Sequence, residues 1–150
     1  MRADGGDGAI IVPVPNGNAT IADDDLFQTL KIARGIASKS EGNLTAFDAL
    51  RWSEPMGKAH KKERRRDVDQ HLDALRVKPG CGKRVILFDD VVTSGSQLCA
   101  AKIKLEEAGY DVVGMYAILD VLDEGERGTA PAWREVKRNP MRIADFFAPL

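Results

Sequence analysis

Asp89 and Asp90 stand directly after the apolar run Val85-Ile86-Leu87-Phe88. Two more apolar residues separate them from Thr93-Ser94-Gly95-Ser96-Gln97. That order suits one kind of ligand. A short apolar run bounded by turn residues reads as a buried strand. Carboxylates at its carboxyl end accept hydrogen bonds from sugar hydroxyls. A hydroxyl- and glycine-rich turn that opens a helix offers backbone N–H groups to a phosphate monoester. A ribose carrying a 5-phosphate would satisfy the whole stretch. The bland alternative is a buried strand, a solvated aspartate pair and a helix capped by Ser or Thr. Adjacent aspartates repel each other, and a cation or several hydroxyls sharing the charge makes such a pair easier to hold.

The elements that must position these groups can be read along the chain. Residues 1–8 read as a flexible Gly/Asp leader. Ala9 to Val14 is a short apolar strand closed by Pro13 and Pro15, with Pro13 expected at the strand end. Asn16-Gly17-Asn18-Ala19-Thr20 is a turn. Asp23-Asp24-Asp25 supplies a cap and first-turn negative charge for a helix from about Leu26 to Ser38. That helix carries Leu26, Leu30, Ala33 and Ala37 on one face, and Gly35 suggests close packing. Leu44 to Trp52 reads as one strand, and Asp67 to Leu75 as a short helix or an extended return. A helix from about Ser96 to Ala108, striped by Leu98, Ala101, Leu105 and Ala108, ends at Gly109. Asp111 to Leu119 is a further strand. This alternation predicts an α/β parallel sheet flanked by helices, in a single domain, with ligands at the carboxyl ends of its strands.

Composition sets bounds on this reading. A chain of 150 residues is one domain by length and long enough for a sizeable core. Hydrophobic content of 43% and charged content of 30% are ordinary for a globular protein, and a net charge of −1 disfavours a general nucleic-acid binder. Cys81 and Cys99 lie far apart and form no ligand spacing, which suggests reduced thiols. No apolar run reaches the ~20 residues that cross a bilayer, and the first residues contain no signal core. The expectation is a cytoplasmic protein with no membrane partner.

The stretch from Val85 to Gln97 resembles the phosphoribosyl pyrophosphate (PRPP) motif of type I phosphoribosyltransferases: an apolar strand, two acidic residues, two apolar residues and a hydroxyl–glycine–hydroxyl loop. The resemblance implies that Asp89 and Asp90 hold the ribose, directly or through magnesium and its waters. It further implies that Thr93, Ser94, Gly95, Ser96 and Gln97 hold the 5-phosphate; the family often has Thr where Gln97 stands. Within that family the chain is most similar to the ComF-like proteins. Ile10-Ile11-Val12-Pro13-Val14-Pro15 resembles their first strand, Phe27-Gln28 their Phe–Asn pair, and Lys62-Glu63-Arg64-Arg65-Arg66-Asp67-Val68 their basic element, with Asp67 in place of Asn. The resemblance covers about residues 9–119 and makes that span the core, with 120–150 a C-terminal extension packing on it. The cysteine-rich metal ribbon of the longer ComF-like members has no counterpart here.

Lys58, His60, Lys61, Lys62, Arg64, Arg65 and Arg66 crowd nine positions. The resemblance places this run at a flexible loop, where Arg64 and Arg65 would stabilise departing pyrophosphate. A solvated charged face and a nucleic-acid contact are the competing readings, and only Trp52 lies near enough to stack on a base. The loop after Pro15 usually carries basic residues, but Asn16 to Ala22 contains no Lys or Arg. The backbone amides of Asn16, Gly17 and Asn18 would supply an anion nest there, or the segment is a plain turn. Asp120, Asp123 and Glu124 fall where related enzymes read the base, although a solvent-facing loop accounts for them equally well. His60 and His71 have no metal spacing with each other. Trp133 and Phe146-Phe147 read as packing residues or an interface, so a second copy of the chain is a candidate partner.

The resemblance thus implies a protein that binds PRPP, pyrophosphate or a nucleoside monophosphate with Mg2+ and transfers a phosphoribosyl group to a nitrogen base. No residue stands out as a general base, and Thr93 occupies a position where some purine enzymes have a carboxylate. The rival reading is a non-catalytic nucleotide-binding protein of the same fold, acting in DNA processing or regulation.

Overall fold

Two apolar strands with alternating faces organise the molecule. The computed structural model describes residues 8–22, 27–56, 68–80 and 82–121. Strand β1 (Ala9–Pro13) pairs in parallel with β2 (Leu44–Ala46) on one side and with β5 (Arg84–Val92) on the other. β5 pairs in parallel with β6 (Asp111–Asp120), giving a four-stranded sheet in the order β2-β1-β5-β6. Helix α1 (Gln28–Lys39) links β1 to β2, and α3 (Ser96–Glu107) links β5 to β6. A separate antiparallel ribbon joins β3 (Leu50–Trp52) to β4 (Leu75–Val77), with α2 (Val68–Ala74) leading into β4. The α/β architecture with a parallel sheet flanked by helices is the one the sequence predicts.

Successive side chains of a strand point to opposite faces. On one face Ile11 and Phe88 pack with Ala33 of α1. On the other, Val12, Val85 and Leu87 pack with Ala101 and Leu105 of α3. Each fully buried Val or Leu here contributes roughly 1.5–3 kcal/mol. Sheet and helices are therefore held from both sides, as expected of a parallel sheet. Gly109 follows the last turn of α3 with φ +88° and donates its N–H to the Glu106 carbonyl. Tyr110 then donates to the Leu105 carbonyl, turning the chain into β6.

Several sequence expectations need correction. The segment from Leu44 to Trp52 is two strands in two different sheets. β2 extends the parallel sheet, and after Asp48 the chain leaves it as β3. The return after residue 67 is both a helix and a strand, because α2 runs straight into β4. The acidic pair lies within β5, which continues to Val92. Gly35 is exposed, and a Cβ built there meets nothing within 4 Å, so no close packing requires it. The expected α1 face is buried at Leu30 and Ala33. Leu26, the Asp23–Asp25 cap, residues 1–7, Cys81, Asp123, Glu124, Trp133 and the rest of 122–150 lie outside the described residues. So does the basic run at 58–66.

Two glycines should respond in opposite directions. Gly35→Ala should stabilise the protein by roughly 0.5–1 kcal/mol, because a mid-helix glycine costs backbone entropy and the methyl meets open space. Gly109→Ala should destabilise it by about 1–2 kcal/mol or more, since φ is positive and the new Cβ would sit 2.8 Å from the Gly80 carbonyl oxygen. Urea unfolding of the two variants beside wild type measures both signs.

Candidate functional site

The site lies where the sheet changes direction. From β1 the chain crosses to β2 on one side, while β5 pairs on the other, so the carboxyl ends of β1 and β5 open side by side. Such crevices are where open α/β sheets take ligands. Pro13 stands opposite Phe88 in the ladder, and Val14 donates its N–H to the Phe88 carbonyl at 2.8 Å. Asp89 and the loop that starts at Val14 are thereby neighbours.

Asp89 is buried, at 6% exposure, and Asp90 is half-buried. The alternation that places Leu87 on the α3 face places Asp89 there too. The Asp89 carboxylate accepts the Asp90 N–H at 2.9 Å, and the Asp90 carboxylate accepts the Val91 N–H at 2.8 Å. Burial pushes the Asp89 carboxyl from its ordinary 3.8 up to about 7, and repulsion from Asp90 adds to the rise. The N–H groups of Asp90 and Val91 oppose it. Removal from water dominates, as it does for carboxyls in apolar surroundings.

The turn after β5 opens α3. Gly95 adopts the left-handed conformation at φ +83°. Gly95 is the cap residue and no side chain caps the helix; before it, Ser94 Oγ accepts the Ser96 N–H at 3.3 Å and donates to Ser96 Oγ at 3.0 Å. Thr93 and Ser94 are exposed, and Ser96 is buried. The first N–H groups of a helix have no acceptor within the helix, which gives this end its affinity for anions. The Gln97 side chain takes another direction: its Nε2 donates to the Pro15 carbonyl at 2.8 Å.

The loop after β1 rests on β3. Trp52 N–H donates to the Ala19 carbonyl, and Ile21 N–H donates to the Trp52 carbonyl, each at 3.0 Å. The Trp52 indole N–H reaches the carbonyls of Pro15 at 2.9 Å and Asn16 at 3.1 Å. Met56 N–H donates to the Gly17 carbonyl at 2.9 Å, and Thr20 N–H to the Asn18 carbonyl at 3.0 Å. Every carbonyl from Pro15 to Asn18 is thus engaged by the protein. The N–H groups of Gly17 and Asn18 have no acceptor among the described residues. Asn16 Oδ1 also accepts the Gln28 N–H at 2.9 Å, tying the loop to the start of α1.

Of the residues expected from sequence, Asp89, Asp90, Thr93, Ser94, Gly95, Ser96, Gln97, Asn16 and Gly17 gather at this edge of the sheet. Arg64 and Arg65 lie outside the described residues. Sequence reasoning missed Arg51 and the shelf role of Trp52. Arg51 is buried at 6% exposure and forks onto Asp48, with Nε–Oδ1 at 3.0 Å and Nη2–Oδ2 at 2.8 Å. It also donates to the Thr20 carbonyl at 3.3 Å and lies 4.6 Å from the Phe27 ring centroid. Asp48 was the available signal, because Asp is depleted in strands and interrupts the run from Leu44 to Trp52. Trp52 is fully buried against His71, with ring centroids 5.7 Å apart, so it offers no platform for a base. Among the described residues no group of three His, Cys, Asp or Glu could form a metal cage. No helix among them is long and apolar enough to cross a membrane.

No protein-family model matches the chain. An adenine phosphoribosyltransferase of Corynebacterium kroppenstedtii is 50% identical over 40 residues, covering 27% of this chain and 22% of its own length. One of Hydrogenovibrio crunogenus is 41% identical over 54 residues, or 36% of this chain and 31% of its own. One of Clavibacter michiganensis subsp. michiganensis is 44% identical over 57 residues, or 36% and 33%. These matches support a type I phosphoribosyltransferase family. The matches span no more than a third of these relatives. The loop after β1 and the turn that opens α3 lie side by side beyond the ends of β1 and β5, next to the acidic pair.

Asp89 should leave a pH signature in the metal-free chain. Its folded carboxyl keeps a proton up to about 7, whereas the unfolded one loses it near 3.8. The resulting stabilisation is present below the unfolded value and is lost as pH rises through about 7. Relative to Asp89→Asn, wild type should lose roughly 2–3 kcal/mol between pH 5 and pH 8. Urea titrations of both proteins across that range measure it. A constant difference would contradict a buried carboxyl that titrates late.

Proposed function

We propose that the chain binds PRPP with magnesium and transfers its phosphoribosyl group to a nitrogen base, releasing pyrophosphate. The observation that carries this reading is the convergence of the acidic pair, the hydroxyl–glycine turn and the loop after β1 at one crevice. The partial likeness to adenine phosphoribosyltransferases supports it and makes adenine the first base to test. Similarity to the ComF-like branch rests on the sequence elements alone.

In this reading Asp89 and Asp90 accept the ribose hydroxyls. Thr93, Ser94, the Ser96 hydroxyl and the N–H groups of Gly95 and Gln97 hold the 5-phosphate. The N–H groups of Gly17 and Asn18, beside Asn16, take the pyrophosphate end, and Arg64 and Arg65 neutralise it as it leaves. The bond from C1 of the ribose to pyrophosphate oxygen breaks with its electron pair going to the leaving group. The base nitrogen forms the new bond to C1 and gives up its proton to solvent. Positive charge builds on the ribose ring between these events, and carboxylates nearby stabilise it.

Magnesium fits this donor set in a specific way. It takes oxygen ligands, keeps several waters and usually binds through one or two carboxylates together with substrate phosphates. Two adjacent carboxylates with no third ligand grouped with them among the described residues match that habit, with Asp89 and Asp90 holding the ion or its waters. Bound magnesium would neutralise charge on pyrophosphate. It would also favour the ionised form of Asp89, which burial opposes.

The absence of Lys and Arg from residues 16–22 favours a second reading, in which the same crevice binds a nucleotide without turnover. Calorimetry with PRPP and magnesium, followed by a pyrophosphate-release screen of bases beginning with adenine, separates the two. Binding with release is expected. Binding without release by any base would favour the second reading, and no binding would remove both. Asp89→Asn with Asp90→Asn should weaken magnesium-dependent PRPP binding at least tenfold. Arg64→Ala with Arg65→Ala should lower kcat more than PRPP affinity.

A further inference from the structure

We infer that Gln97 is a positioning residue: its side-chain amide straps the loop at 15–18 to the turn that opens α3, so that the two ends of the crevice act as one rigid unit. The inference rests on the proposed function for its ligand and on the structure for its geometry.

Gln97 stands in the first turn of α3, immediately beside the Thr93–Ser96 stretch. Its amide nitrogen lies 2.8 Å from the Pro15 carbonyl oxygen, across 82 residues of sequence. The same oxygen accepts the Trp52 indole N–H at 2.9 Å. One carbonyl therefore receives donors from two sides, one from β3 and one from α3. A carbonyl oxygen has two lone pairs, so this arrangement saturates it. The next three carbonyls along the loop are also held by protein donors, at 2.8 to 3.1 Å. With its carbonyls drawn inward, the loop leaves the N–H groups of Gly17 and Asn18 for a ligand.

This arrangement answers a question raised by composition. Residues 16–22 contain no cation, so an anion there must be recognised by main-chain dipoles. Dipoles are weak individually and act through fixed orientation. A loop free to reorient would lose most of that benefit. The Gln97 strap adds to that fixity from the α3 side and sets the spacing between the 5-phosphate turn and the pyrophosphate loop. A Thr at this position has too short a side chain to reach across in the same way. The glutamine is thus matched to the uncharged loop.

The test uses the full chain carrying Gln97→Met, which keeps the length and removes the donor. Hydrogen exchange in the ligand-free protein is read at the Met56 and Ala19 amides, whose acceptors are the Gly17 and Asn16 carbonyls. Exchange at both should quicken at least tenfold, while sheet amides such as those of Val12 and Leu87 keep their wild-type rates. PRPP and ribose 5-phosphate are then titrated separately into wild type and variant. PRPP affinity should fall about tenfold, and at least threefold more than ribose 5-phosphate affinity, because only PRPP spans both loops. Unchanged exchange at Met56 and Ala19 would overturn the strap. Equal losses for the two ligands would also overturn it, by making Gln97 a direct phosphate contact. If wild type binds neither ligand, the functional reading fails, and the exchange result still decides the strap.

Discussion

Main-chain hydrogen bonding between β1 and β5 is the constraint on which the rest of the structure depends. Ile10 to Pro13 lie in register with Val85 to Phe88, and the ladder ends with Val14 donating to Phe88. That pairing fixes the height at which each strand stops. It brings the first loop of the chain beside the acidic pair and beside the N-terminus of α3. Shifting the register by one residue would send Leu87 and Asp89 to the opposite face and empty the core beneath the crevice. Apolar side chains on both faces of the two strands resist that slip.

The β3 ribbon is the second support. It contributes no residue to the acidic pair or the turn that opens α3, yet it holds the β1 loop through main-chain and indole donors. Arg51 extends the brace. Its guanidinium is buried, paired in a fork with Asp48 and set against the Phe27 ring, which joins β3 to the entrance of α1. A buried cation is costly unless its donors are met. Here Asp48, the Thr20 carbonyl and the aromatic face meet them. The site is thus framed by three elements from separate parts of the chain.

Much of this was legible in the sequence for a physical reason. The run from Val85 to Gln97 is local: strand, carboxylates, turn and helix follow within a few residues, so its backbone course needs no distant partner to be read. The α/β class, the Pro13 strand end and the Gly109 helix stop were legible on the same grounds. The course of the chain between Leu44 and Trp52 was not. Apolar periodicity reports that a residue is buried but not which partner buries it, so two short strands in different sheets read as one. The bond from Gln97 to Pro15 was equally hidden, since nothing in a local pattern announces a partner 82 residues away. The Gly35 expectation erred because a helical glycine has several causes, and only the surroundings of its absent Cβ distinguish them.

The order of the strands also governs when the site can exist. β1 and β5 are about seventy-five residues apart in sequence, and the entropy of closing such a loop must be met before their ladder forms. During synthesis, α1 and β2 can assemble locally with β1 while the motif strand has yet to emerge. Until it does, the edge of β1 that will receive β5 is unpaired, and the loop after β1 has no neighbouring turn beside it. A ligand that touches both loops therefore adds nothing to early intermediates and favours the step in which β5 pairs with β1, with β6 added at its outer edge.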